Sequence, residues 1–144
     1  MSSRLFQSLR EDRGLAYSVY SSLHPFADTG LFYAYAATSR RQSGEAAQLI
    51  EEIIRGATTD ATQRELDRGR TQARAALLMS LETPWGQAGY VARQLSVYGR
   101  LVEPTEVIGQ LDAVTLDAVL GAGAAMVGGP AALATVGVPT VRAA

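Results

Sequence analysis

The sequence predicts an α+β domain, with helices packed on one face of an antiparallel sheet. Three observations carry that prediction. A β-rich hairpin signal lies near the start, amphipathic helical patterns follow one another through the middle, and one short apolar run closes the chain. Strands and helices are therefore segregated rather than alternating, which argues against a parallel, doubly wound sheet. A length of 144 residues suits a single domain spanning 1–144, and 47% hydrophobic content is enough for a core.

The first helix is read from Leu5, Phe6 and Leu9, a narrow apolar stripe. Ser2 or Ser3 can cap its start, since a hydroxyl accepts from unpaired first-turn amides. Arg13-Gly14-Leu15 ends it: glycine enters the left-handed region cheaply, and Leu15 can fold back onto Leu9. Ala16 to His24, with Tyr17, Val19, Tyr20 and Leu23 among serines, reads as a strand. Asp28-Thr29-Gly30 marks a turn, and Leu31 to Thr38 pairs back as the second strand.

Ser39 to Gly44 is a polar, basic loop. Ala46, Leu49, Ile50, Ile53, Ile54 and Ala57 then recur at helical spacing, with Glu45, Gln48, Glu51, Glu52 and Arg55 on the other side. Thr62-Gln63-Arg64-Glu65 has capping-box spacing and opens a long helix to about Leu81, with Leu66, Ala73, Leu77 and Leu81 inside. Pro84 suits the first turn of the next helix, whose face is Trp85, Ala88, Val91, Ala92, Leu95 and Tyr98 as far as Gly99. Trp85 is expected to fill a helix–sheet interface. Pro104 to Leu111 reads as one or two helical turns. Thr115 caps a last helix over Leu116 to Met126, stopped at Gly128-Gly129-Pro130. Ala131 to Val138 is expected as a short buried strand, followed by a frayed tail to Ala144. A hairpin plus one strand is a thin sheet for so much helix, which points to strands missing upstream.

Charge and composition narrow the function classes. The net charge is -1, with 13 basic residues, all arginine. Such a balance makes no electrostatic case for nucleic acid or an anionic membrane. Arg64, Arg68, Arg70 and Arg74 alternate with Glu65 and Asp67, as on a solvated helix. Arginine without lysine, amid abundant Ala and Gly, is read as a GC-rich genome. Without cysteine there is no disulfide or thiolate metal site, and the compartment, cytoplasmic or periplasmic, stays open. No apolar run is long enough to span a membrane. A single histidine, His24, followed by Pro25, cannot assemble a multi-imidazole zinc site; it reads as a strand-end residue with an ordinary partner. There is no G-x-S-x-G, and no glycine-rich phosphate loop stands between a strand and a helix.

Arg10 and Tyr17 remain as candidates. Each has an ordinary reading: Arg10 as a solvated charge in a helix's last turn, Tyr17 as a strand aromatic. Each also has a chemical one. A guanidinium offers fixed donors to a carbonyl or carboxylate, and a phenol can donate to a carbonyl oxygen as it gains charge. One stands before the Gly14 reversal and one after it, so the turn could bring them to one rim.

The run SSRLFQSLREDRGLAYSVYSS, followed by DTGLFYAY, resembles the pitrilysin and processing-peptidase family of zinc metallopeptidases. It is similar to the second, non-metal-binding repeat of that family's duplicated fold, and the likeness weakens toward the C-terminus. The resemblance implies that Arg10 and Tyr17 match the pair that holds substrate backbone. It implies that this chain binds no metal itself and that zinc and its H-x-x-E-H motif belong to a partner half, on the same chain or on another subunit. The expected partners are a peptide substrate and that half, with a second copy of this chain as a further candidate. The family domain begins with strands before this helix, so the chain is expected to be a partial copy of the repeat. A second reading within the same resemblance is a catalytically inactive structural or assembly subunit. A third, unrelated to it, is a small ligand-binding domain.

Purified protein is expected to hold no tightly bound zinc. Elemental analysis checks this: one zinc per chain, lost in His24→Ala, would contradict the reading of His24.

Overall fold

The computed structural model describes residues 3–26, 28–129 and 131–138. They form two compact units: Met1–Asp60 with Leu120–Ala144, and Ala61–Val119.

In the first unit a helix over Phe6–Asp12 leads into a hairpin of β1 (Ala16–Pro25) and β2 (Gly30–Thr38), followed by α1 (Ser43–Ala57). The first helix is of the wide π type, which is rare and usually confined to single turns. Ser3 accepts from the Phe6 amide at 3.2 Å, so Ser3 supplies the start; Met1 and Ser2 lie outside the described residues. Gly14 has φ +59, the left-handed conformation its place after the helix calls for. Across it the Leu15 amide donates to the Leu9 carbonyl at 2.7 Å. The usual six-to-one closure reaches back five residues, and here it reaches six, because the wide helix delivers its carbonyls one residue earlier.

That closure seats the helix on the sheet. Leu9 is fully buried, and Leu5, Leu15, Ala16, Ala46 and Leu49 join it in one cluster. Val19, Ala34 and Ala36 pack on the cluster from the strands, and Ile50 and Ile53 from α1. Both helices thus lie against the same face of the hairpin. Arg13 reaches Glu45 at 3.7 Å, and Arg4 pairs with Asp60, so ion pairs mark the rim of this core. At the hairpin tip the Phe26 amide donates to the Thr29 carbonyl at 2.8 Å. Near its other end α1 meets the last helix: a Cβ on Gly123 would lie 2.9 Å from the Thr58 methyl, so only glycine allows that approach.

The second unit holds α2 (Gln63–Ser80), α3 (Pro84–Tyr98), α4 (Pro104–Ala113) and the start of α5 (Leu116–Val127). The capping box is present: the Glu65 amide donates to Thr62 Oγ1 at 3.3 Å, and the Thr62 amide donates to Glu65 Oε2 at 2.9 Å. Arg74 pairs with Asp112 and Arg70 donates to the Val114 carbonyl, so two of the α2 arginines are tied to the end of α4 rather than merely solvated. The Tyr90 hydroxyl donates to the Val102 carbonyl at 2.7 Å. Arg100 grips Glu106 through two hydrogen bonds of 3.0 and 2.7 Å, and that guanidinium holds the Glu106 carboxyl below its ordinary range.

Two expectations fail. Trp85 does not fill an interface; it is 88% exposed. The side of that turn facing α2 belongs to Gly86, where a Cβ would lie 1.8 Å from the Ser80 carbonyl oxygen, and this turns Trp85 outward. The run from Ala131 to Val138 forms no strand: the described sheet has two strands, this segment is irregular, and Val136 is 98% exposed. Apolar content suits a strand, but without a ladder partner its backbone gains nothing from extension. Gly137 further turns the chain there, at φ +75. Pro130 and the tail from 139 lie outside the described residues.

Gly14→Ala should lower stability by about 1 kcal/mol and Gly14→Val by more, because Cβ strains the left-handed conformation. Leu9→Ala should cost about 3 kcal/mol through the cavity left in the core. Denaturant midpoints check both; unchanged midpoints for the Gly14 variants would contradict the closure.

Candidate functional site

The rim of the first unit carries the candidate site, and a defect in the hairpin ladder builds it. Ala16 pairs with Thr38, but Ser18 pairs with Ala37, so β1 holds one residue too many at Tyr17. This is a β-bulge, a device that re-aims a side chain and is over-represented beside active sites. Its effect follows from the period of two along a strand. Val19 faces the core, and regular alternation would send Tyr17 the same way. The extra residue hands that inward position to Ala16, which is 5% exposed, and turns Tyr17 outward to 85%. The Thr38 hydroxyl donates to the Leu15 carbonyl at 2.6 Å and ties the two strand ends together beside the bulge.

Arg10 stands in the last turn of the N-terminal helix, on the exposed side opposite Leu9. The Gly14 reversal and the bulge bring the two predicted residues together: the Arg10 guanidinium carbon lies 5.8 Å from the Tyr17 ring centre. A third residue joins them. The same guanidinium lies 5.1 Å from the centre of the half-buried Phe6 ring. Both contacts are within cation–π reach. By sequence alone Phe6 counts only as part of the helix stripe. The signal for its second contact was its spacing of four from Arg10, which places them one above the other on the helix.

The outward face of the hairpin continues from this point as an aromatic strip. Tyr20 stacks on Tyr35 at 5.1 Å between ring centres and meets Tyr33 edge-on at 6.1 Å. Tyr33 in turn stacks on His24 at 5.5 Å, with His24 Nε2 3.4 Å from the Tyr33 hydroxyl. His24 therefore has the ordinary partner expected of it. Desolvation pushes the Tyr20 phenol above its usual range, and the neighbouring Tyr33 adds to the shift.

A cavity of about 570 Å³ lies between β2, α1 and the segment after α5, with Phe32, Ala34, Ile50, Ile54, Met126 and Leu133 among its walls. Neither Arg10 nor Tyr17 lines it. Among the described residues no group of three or more His, Cys, Asp or Glu side chains is placed to hold a metal ion. The donors here do not fit a zinc site. No helix in the described residues is, by itself, long and apolar enough to cross a membrane.

Comparison with known proteins agrees with this architecture. The sequence profile described as "Peptidase M16 inactive domain" matches residues 1–73, which contain the helix, the hairpin and both candidate residues. Over 122 residues, 84% of this chain, the sequence is 35% identical to the "uncharacterized zinc protease YmxG" of Bacillus subtilis (strain 168). It is also 35% identical over 120 residues, 83% of the chain, to a protein of Mycobacterium leprae (strain TN) named an uncharacterized zinc protease. The chain spans only 30% and 27% of those two relatives' lengths. Among solved structures, a chain of "Complex III2 from Candida albicans, Inz-5 bound" matches 87% of this chain with a TM-score of 0.78 at 18% identity, over 30% of its own length. The periplasmic protease PqqL from Escherichia coli matches 83% with a TM-score of 0.66 at 20% identity, over 14% of its own length. At those identities the structures speak for the fold alone, whereas the profile spans half of the sequence, from the SSRLF helix through the hairpin and α1. This chain belongs to the M16 peptidase family, to which it corresponds through the inactive domain.

Proposed function

We propose that this chain is the substrate-gripping, non-zinc half of a zinc metallopeptidase, with Arg10 and Tyr17 as the residues that hold a peptide. One observation supports this above the rest: a ladder defect and a left-handed glycine together place an exposed phenol beside an exposed guanidinium. The glycine reversal serves the fold as well, but the ladder defect interrupts the strand pairing and adds nothing to the core. A regular strand would have buried the Tyr17 ring, and a carboxylate would have neutralised Arg10.

Each residue has a distinct part in the proposal. The planar guanidinium of Arg10 presents donors in a fixed fork and grips backbone carbonyls or a carboxylate of an extended peptide. The Tyr17 hydroxyl donates to the scissile carbonyl oxygen as negative charge grows on it, a bond stronger in the transition state than in the ground state. The relatives' names supply the zinc in the proposal. Among the described residues no donor set fits that ion, and the proposal therefore assigns zinc and the general base to another half of the enzyme. The aromatic strip beyond Tyr17 lies along the same outward face, where an extended peptide would continue.

The test is steady-state peptide cleavage by this chain combined with its zinc-bearing half. Tyr17→Phe keeps the ring and removes one donor, so kcat should fall about 100-fold. Arg10→Lys keeps the charge and loses the fork, so KM should rise with a smaller change in kcat. Both variants should melt near the wild-type temperature. Normal kinetics in both would leave the chain as a structural subunit of the family. Large losses of melting temperature would make both residues part of the fold.

A further inference from the structure

We propose that Phe6 is a positioning residue for Arg10, holding the guanidinium by its face so that its edge stays open to substrate. The inference rests on the reading of Arg10 as a peptide-binding group and adds a residue to it.

The argument begins with how arginines are held elsewhere in the chain. Arg4, Arg13, Arg55, Arg70, Arg74 and Arg100 each pair with a carboxylate. A carboxylate fixes a guanidinium by accepting from its N–H groups in the plane, which consumes the donors a ligand would need. Arg40, Arg41, Arg64, Arg68 and Arg93 show no such pair among the described residues either, and what sets Arg10 apart is that aromatic rings hold it. Among the described residues it makes no ion pair and no hydrogen bond, and its contacts are two rings, Phe6 at 5.1 Å and Tyr17 at 5.8 Å. Aromatic faces attract the cation through its flat side. The five N–H donors lie in the plane of the fork and remain available.

The two rings are not equivalent. Tyr17 is exposed and carries a hydroxyl with its own work, so it is free to move with a ligand. Phe6 has no polar atom and cannot bind peptide backbone itself. Its ring is half-buried and rises from the same helix that anchors Leu5 and Leu9 in the core. Phe6 is thus the fixed wall and Tyr17 the movable one. Loose arginine side chains lose considerable rotamer entropy when they grip a ligand. Holding one wall in advance lowers that loss, and the benefit appears in KM.

Two measurements test this. In the 144-residue chain, the Arg10 Nε–H proton should resonate upfield of the other arginines through the Phe6 ring current. Phe6→Leu should return it to the ordinary position, and Phe6→Tyr, which keeps a ring face, should retain the shift. In the reconstituted two-half enzyme, Phe6→Leu should raise KM about fivefold with kcat nearly unchanged, and Phe6→Tyr should restore it. In an Arg10→Ala background Phe6→Leu should change nothing further, since a positioning residue has no effect once its target is gone. An Arg10 resonance indifferent to Phe6→Leu would overturn the inference. So would a KM effect of equal size in the Arg10→Ala background, which would mark Phe6 as purely structural. Impaired Arg10→Ala with normal Phe6→Leu would sink this inference and leave the proposed function standing. Normal kinetics in Arg10→Ala would sink both.

Discussion

The hydrogen bond from the Leu15 amide to the Leu9 carbonyl, closed over a left-handed Gly14, is the constraint on which the first unit depends. It reverses the chain within a few residues, so the helix that has just ended lies against the strand that is about to begin. Leu9 and Leu15 become core neighbours by that one closure, and Ala46 and Leu49 of α1 complete the apolar seal. It also decides the site. Arg10 precedes the reversal by four positions and Tyr17 follows it by three, and a chain that turned more slowly would leave them apart.

The second constraint is parity. In a strand of period two, one inserted residue exchanges inward and outward faces on one side of the insertion. Here the exchange falls between Ala16 and Ser18, and it converts a tyrosine that would have faced the core into one that stands in solvent. The energies involved set what the arrangement contributes to the fold. An exposed cation–π contact contributes about 0.5–1 kcal/mol, and an exposed ion pair about as much. Neither outweighs the several kcal/mol that a large buried side chain can contribute. The Arg10–Tyr17–Phe6 group therefore contributes little to stability. The fold is held by leucines beneath it.

Much of this was legible in the residues. Gly14 after an apolar stripe, the DTG turn and the Thr62–Glu65 spacing each name their local structure, because each rests on a single backbone requirement. The segregation of strands and helices was equally plain, and the family resemblance is what singled out Arg10 and Tyr17 as candidates. What could not be read depends on partners distant in sequence. The bulge at Tyr17 leaves no mark in β1 alone, since it is defined by the register against Thr38 and Ala37. The outward turn of Trp85 follows from Gly86 meeting the Ser80 carbonyl, an approach that hydrophobic spacing does not encode. The run from Ala131 to Val138 has strand composition, and only the sheet decides whether a strand position is open to it. The Phe6 contact was masked by its place in a stripe already explained as core.

The central claim is that the bulge and the reversal place Arg10 and Tyr17 on peptide. A structure of this chain bound to its zinc-bearing half and an uncleaved peptide tests that most directly. The account predicts the Tyr17 hydroxyl within about 3.2 Å of the scissile carbonyl oxygen and the Arg10 fork on a neighbouring backbone carbonyl or carboxylate. A peptide lying elsewhere, with the Tyr17 hydroxyl and the Arg10 donors facing only water, would contradict it.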